Sequence, residues 1–171
     1  GNHVFTVTVT DLEGLTDTGI ITVYVGKPTI DLDKDYRFIK SDSEQKINII
    51  YQEHAAMGIA KNGDQIKISI PNNSSKFSFD INNMTPNTLY GNFFTYNNSS
   101  TSSELIFYVS GISGEGYLED NATIIISNIP VLTNGEETLF SLELKNENLI
   151  SGVIIDKTNY DIGIGKPSIW F

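Results

Sequence analysis

The sequence predicts an all-β chain folded as an antiparallel β-sandwich, and three observations predict it. Apolar and polar residues alternate with a period of two along almost the whole length, the mark of strands whose side chains point to opposite faces in turn. The alternating runs are short, rich in Ile, Phe, Tyr and Thr, and punctuated by clusters of Asn, Asp, Gly and Ser, which suit turns. No segment keeps a helical period long enough to form a regular helix.

In chain order, Phe5, Val7 and Val9 share one face of the first strand, and Ile21, Val23 and Val25 share one face of the second. Alternating runs follow at 46–52, 64–71, 76–81, 88–96, 104–110, 122–129 and 138–144, with a last pair around 152–155 and 160–164. Segment 53–61 has some helical character, and Gly58 limits it to one loose turn. Strands in such close succession, with no helices between them, pair antiparallel and form two sheets packed face to face. Runs 104–110 and 122–129 carry apolar residues on both faces, which predicts central places for them.

The phrase Val-Gly-Lys-Pro-Thr-Ile at 25–30 returns as Ile-Gly-Lys-Pro-Ser-Ile at 164–169, 139 residues later. Self-similarity at a fixed spacing marks repeated units. Each copy follows an alternating strand, a polar turn and another alternating strand, so each reads as the junction after a closing hairpin. Three segments result: residues 1–26 as the C-terminal hairpin of a preceding module, 27–165 as a complete β-sandwich module, and 166–171 as the start of a following module. Pro28 and Pro167 fix their own φ and keep Lys27 and Lys166 extended, so the connector is expected to be short and semi-rigid. The hairpin is too small to be stable alone and is expected to pack on a neighbouring module or dangle.

Residues 5–25 combine an aromatic residue, alternating Thr and Val, an Asp-containing turn and a second alternating strand. In this they resemble the closing strands of PKD-like and cadherin-like β-sandwich repeats of prokaryotic surface proteins. Stretches 61–71, 104–111, 118–130 and 137–145 are similar to Ig-like modules of archaeal and bacterial S-layer proteins and adhesins. In those modules a Gly-Asp turn leads into a strand ending at Pro, and a later Ile-Pro segment precedes a Phe-containing strand. The spacing of the runs predicts roughly eight to ten strands, and the resemblance implies an Ig-like form of the sandwich and a wall-building or adhesive role without catalysis.

Formal net charge is −10, from 11 Lys and Arg against 21 Asp and Glu, so a phosphate backbone is repelled and no nucleic-acid partner is expected. Divalent cations suit such a surface, although acidity also simply keeps a domain soluble. Cysteine is absent, which removes disulfides, thiol nucleophiles and thiolate metal sites. No apolar run approaches the roughly 18 residues of a spanning helix, so no membrane insertion is expected in this segment.

Groups that carry catalysis are sparse. His3 and His54 are the two histidines, and a Ser-His-Asp arrangement would rest on His54 alone. Residues 111–116 lack the spacing of a nucleophile elbow and read as a Gly-rich hairpin, and nothing among the 21 acids picks out a glycosidase pair, so 116–120 reads as a turn before a buried strand. Lys46 and Lys67 raise an internal isopeptide bond to a nearby Asn, but the isoleucines beside Lys67 claim the inward face and turn it outward.

Asp31, Asp33 and Asp35 alternate directly after the first Gly-Lys-Pro, and such oxygens, joined by loop carbonyls, are of the kind that holds Ca²⁺ and stiffens a joint. Tyr36 stands where an EF-hand needs glycine, and a solvated strand with acidic outward residues is the plainer reading. Asp11, Glu13 and Asp17 form a second acidic group at the tip of the first hairpin. Asn72, Asn73, Asn83, Asn97, Asn98 and Asn121 begin Asn-x-Ser/Thr triplets and are glycosylation candidates, most of them in loops. Tyr90, Phe94, Tyr96 and Tyr108 would form a sugar platform if coplanar and exposed, and core packing if buried.

The expectation is a non-catalytic structural repeat of an extracellular cell-surface protein, either an S-layer component or an adhesin stalk. Its partners would be adjacent modules of the same chain and like subunits, with Ca²⁺ the cofactor in view. The alternative is a β-sandwich module that binds carbohydrate or protein, with glycans or a surface ligand as partner.

Overall fold

The structure, a computed structural model, describes residues 2–24, 26–39, 41–55, 58–71, 76–113, 116–133, 138–147 and 154–165. Apart from a 3₁₀ turn at Ile81–Asn83, its regular elements are strands. β1 (Asn2–Thr10) and β2 (Thr16–Tyr24) form a separate two-stranded hairpin. The remaining strands are β3 (Thr29–Leu32), β4 (Arg37–Ile39), β5 (Ser41–Gln52), β6 (Gln65–Ser69), β7 (Phe77–Phe79), β8 (Leu89–Tyr90) and β9 (Phe94–Tyr96), followed by β10 (Glu104–Val109), β11 (Thr123–Thr133), β12 (Thr138–Asn146) and β13 (Asp156–Gly165). They make a seven-stranded sheet in the order β4-β13-β12-β6-β10-β9-β8 and a four-stranded sheet in the order β3-β5-β11-β7. The two sheets share one hydrophobic core, as expected of a sandwich.

Alternation decides which residues line that core. β5 turns Ile47, Ile49 and Tyr51 inward, β6 turns Ile66 and Ile68, β10 turns Leu105, Phe107 and Val109, and β12 turns Leu142 and Leu144. β10 lies between β6 and β9, and β11 between β5 and β7, so both doubly apolar runs are central, as their sequences predict. In β11 the inward set changes from Ile124 and Ile126 to Ile129 and Val131, a step of three that strict alternation forbids. A bulge absorbs it: the register with β5 shifts between Ile126 and Ile129, and Asn128 takes a left-handed φ of 60°. The Asn48 side-chain carbonyl accepts the Asn128 amide at 2.9 Å and holds the bulge open.

Two features depart from expectation. Run 88–96 is not one strand, because Gly91 and Asn92 both adopt positive φ and fold it into the β8–β9 hairpin; with β3 and β4 as further short strands, the described residues of the sandwich hold eleven. A Cβ on Gly91 would meet the Ile124 side chain at 2.4 Å, so the turn also requires glycine for space. Pairing is antiparallel except at one margin, where β4 runs parallel to β13, with Arg37, Phe38 and Ile39 opposite Gly163, Ile164 and Gly165.

Phe107 is fully buried and meets Phe94, Tyr96 and Tyr90 at ring-centroid distances of 6.1, 6.0 and 5.8 Å. Phe107→Ala is expected to lower stability by about 3–5 kcal/mol in urea unfolding. Phe5→Ala, in the exposed hairpin, is expected to shift the same transition by less than about 0.5 kcal/mol.

Candidate functional site

The first Gly-Lys-Pro phrase leads straight into β3, the edge strand of the smaller sheet, and β3 lies beside β13, which belongs to the larger one. β3 pairs with β5 on one side only, so the N–H and C=O groups of Ile30 and the N–H of Leu32 face the other way. Alternate residues of β13 point at that open edge and satisfy it. Asp156 Oδ2 accepts the Ile30 amide at 3.0 Å, the Thr158 hydroxyl donates to the Ile30 carbonyl at 2.9 Å, and the Tyr160 hydroxyl accepts the Leu32 amide at 2.9 Å. The Tyr160 hydroxyl then donates to Asp31 Oδ1 at 2.6 Å. Lys27 closes the row with a 2.7 Å ion pair to Asp156 Oδ1. The seam thus holds residues 27–32, in and after the first Gly-Lys-Pro phrase, against the strand that precedes the second in sequence.

Burial acts on the Asp156 carboxyl to raise its pKa, but the Lys27 ammonium and the Ile30 and Lys157 amides outweigh it, and the group titrates below its ordinary value. Burial and the bond to Asp31 push the Tyr160 phenol up. Tyr36 is pushed up to about 12 by burial and by its 2.5 Å bond to Asp33, while its oxygen accepts the Asn48 amide at 2.7 Å.

Gly26 lies against the His54 ring, where a Cβ would come within 2.1 Å of ring carbon, so a larger residue there would have to displace the ring. Pro28 is buried.

Two members of the acidic run are bound into this region. Asp31 accepts Tyr160, and Asp33 accepts Tyr36 together with the Asn48 side-chain amide at 2.9 Å, while Asp35 is exposed. Among the described residues no group of three or more His, Asp or Glu side chains is placed to hold a metal ion. Asp11 organises the first turn by accepting the Glu13 and Leu15 amides, both at 2.9 Å.

Of the glycosylation candidates, Asn83, Asn98 and Asn121 are exposed and Asn97 is half-buried, whereas Asn72 and Asn73 lie outside the described residues. The Asn83 amide donates to Asp80, and Asn121 accepts Gln52. Phe94 and Tyr96 are buried and Tyr90 packs on Phe107, so these rings are core and not a platform; Tyr108 stands open. Lys67 faces outward between Glu104 and Glu147, in keeping with its strand parity. A cleft of about 360 Å³ lined by Phe93, Ile112, Tyr117 and Leu118 has Glu119 as the one carboxylate among its described lining.

Sequence reasoning missed Glu53, which is buried and accepts the Tyr51 hydroxyl at 2.8 Å and the Ile59 and Ala60 amides at 3.0 and 2.9 Å. Its parity carried the signal, since Glu53 continues the inward series of Ile47, Ile49 and Tyr51. It missed Asp156, Thr158 and Tyr160 as well, whose spacing of two put them on one face.

No protein-family model and no curated protein matches the chain. Solved structures are similar to it. The seventh ScaB type I cohesin from Pseudobacteroides cellulosolvens aligns at 11% identity and TM-score 0.48, covering 84% of this chain and 95% of that one. The sixth cohesin of scaffoldin B from Acetivibrio cellulolyticus, in complex with a dockerin, aligns at 9% and TM-score 0.46, covering 81% and 98%. A type I cohesin–dockerin complex from Clostridium thermocellum aligns at 10% and TM-score 0.42, covering 81% and 94%. Likeness at this level transfers neither a residue's role nor a partner to this chain.

The seam makes stability depend on pH at both ends of the scale. The Asp156 contribution is present above the unfolded carboxyl value and is lost as pH falls through the lower folded one. The Tyr160 contribution is present below the unfolded phenol value of about 10 and is lost as pH rises beyond it. Asp156→Asn is expected to cost about 1.5–3 kcal/mol near neutral pH, a cost that shrinks below about pH 4. Tyr160→Phe is expected to reduce the loss of stability above about pH 10, with urea unfolding across pH as the check on both.

Proposed function

We propose that residues 27–165 form a non-catalytic spacer unit of an extracellular surface protein, an S-layer component or an adhesin stalk, strung end to end with like units through the Gly-Lys-Pro phrases. The parallel pairing of β4 with β13 is the observation that carries this reading. Strands that run the same way at one margin put the chain's entry and exit at opposite ends of the body. Entry is beside Asp156 at the start of β13, and exit follows Gly165 at its end. Ten residues of strand, about 30 Å, lie between them. An antiparallel first and last pair would have brought both ends together, as suits an insertion and not a string. The seam supports the reading further, because it fixes the entry segment to the exit strand and so sets the direction in which the chain leaves. The acidic, Asn- and Ser-rich loops that face solvent suit a surface exposed outside the cell.

Small-angle scattering of a chain made of residues 1–167 followed by 29–171 tests the spacer reading. The longest dimension is expected to exceed that of the native chain by about 30 Å or more at unchanged cross-section. A particle that thickens without lengthening would count against it.

A second reading, a protein-binding module, is favoured by the outer face of the larger sheet. Leu89, Thr95 and Tyr108 form one cross-strand row there, and Leu89 and Tyr108 are exposed. The face is polar around them, with Gln65 donating to the Tyr108 hydroxyl. Binding of the chain to extracted surface proteins is expected to be lost in a Leu89→Asp, Tyr108→Ala variant whose unfolding midpoint is unchanged; binding retained by that variant would overturn this reading.

A further inference from the structure

The N-terminal hairpin has a counterpart inside the sandwich, and the match holds pair by pair. In β1–β2, Phe5 stands opposite Ile21, Val7 opposite Gly19, and Val9 opposite Asp17. In β12–β13, Phe140 stands opposite Tyr160, Leu142 opposite Thr158, and Leu144 opposite Asp156. Moving β1 forward by 135 residues and β2 by 139 superimposes all three pairs, and the second shift is also the spacing of the two Gly-Lys-Pro phrases. The difference of four lies in the length of the connections, residues 11–15 against 147–155.

Chemistry follows register. Phe5, Val7 and Val9 match Phe140, Leu142 and Leu144, while Thr6, Thr8 and Thr10 match the polar Ser141, Glu143 and Lys145. Leu142 and Leu144 are 0% exposed, whereas Phe5, Val7 and Val9 are 53%, 41% and 65% exposed. The hairpin therefore presents an apolar face whose counterparts Leu142 and Leu144 are fully covered elsewhere in the same molecule.

We infer that β1–β2 is the closing hairpin of a second copy of this sandwich, and that its apolar face is covered by the body of that copy, a segment equivalent to residues 27–137 placed ahead of it in the same protein. The occupant is read from the covered hairpin. β12 pairs antiparallel with β6 and β13 pairs parallel with β4, so a β6-like strand lies beside β1 and a β4-like strand beside β2. Asp17 takes the place of Asp156 and receives the lysine of the upstream junction phrase, as Asp156 receives Lys27. Ile21 takes the place of Tyr160, so the upstream seam has an apolar contact where this one has a hydroxyl. The inference rests on the string reading above and assigns each residue of the hairpin its place in that string.

The test is a chain in which residues 27–137 are followed directly by residues 3–171, so that β1–β2 closes the added body. Amide exchange of β1 is expected to slow by at least about 100-fold relative to the native chain. The amides of β5 and β11 in the authentic sandwich serve as the internal folding control. Val7→Asp with Val9→Asp is expected to abolish the gain without changing that control. Hairpin amides left fast while the control stays protected would overturn the inference. So would hairpin protection in the native chain that rises with its own concentration, since that would assign the face to self-association. Neither outcome alters the scattering result, which reads the length of the string independently.

Discussion

The parallel ladder between β4 and β13 is the constraint on which the rest of the structure depends. Parallel neighbours cannot be joined by a tight turn, and here the connection between them is the whole body of the sandwich. The chain begins its fold in the smaller sheet with β3, crosses through the Asp33–Tyr36 turn to the larger sheet as β4, and returns beside both only at β13. First and last strands therefore run together along one margin. A unit built this way has direction: what enters at one end leaves at the other.

That margin would otherwise be a liability. An edge strand with open amides invites pairing with any other chain, and β3 is such an edge. The solution is chemical and not topological, because Asp156, Thr158 and Tyr160 supply the acceptors and donor that a neighbouring backbone would have supplied. The acidic character of the chain has a local use here. Asp31, Asp33 and Asp156 each hold a donor, with net hydrogen-bond contributions to a charged acceptor of about 1.5–3 kcal/mol where the pair is shielded and much less where it is exposed. The acidic run is thus divided between two uses, Asp31 on the edge strand meeting Tyr160 and Asp33 in the following turn meeting Tyr36 and Asn48.

Much of the fold was legible because its determinants are local. Inward parity in β5, β6, β10 and β12 follows from alternation, and the central places of β10 and β11 follow from their two apolar faces. The bulge at Asn128 and the turn at Gly91 and Asn92 were illegible as such, since each depends on a left-handed backbone that Asn and Gly permit but do not announce. The seam was illegible for a different reason. Its bonds join residues 126 to 129 positions apart, and a face of Asp, Thr and Tyr looks the same in a sequence whether it meets solvent or a strand edge. Glu53 lies between these cases: its inward parity was visible, but the amides that make a buried carboxylate tolerable come from a loop that curls back over it.

The proposed equivalence of the two hairpins rests on their register. A shift of one residue in either strand would turn its buried set to solvent, so register is the property a repeated hairpin must keep. The turn is free by comparison, because lengthening a connection costs only a few tenths of a kcal/mol. β1–β2 and β12–β13 differ by four residues in the turn and by none in the pairing, and their apolar face keeps its parity while Val replaces Leu and Ile replaces Tyr. Asp17 stands opposite Val9 as Asp156 stands opposite Leu144. In the proposed string a carboxylate at that position would meet the lysine of the Gly-Lys-Pro phrase at each joint, as Asp156 meets Lys27.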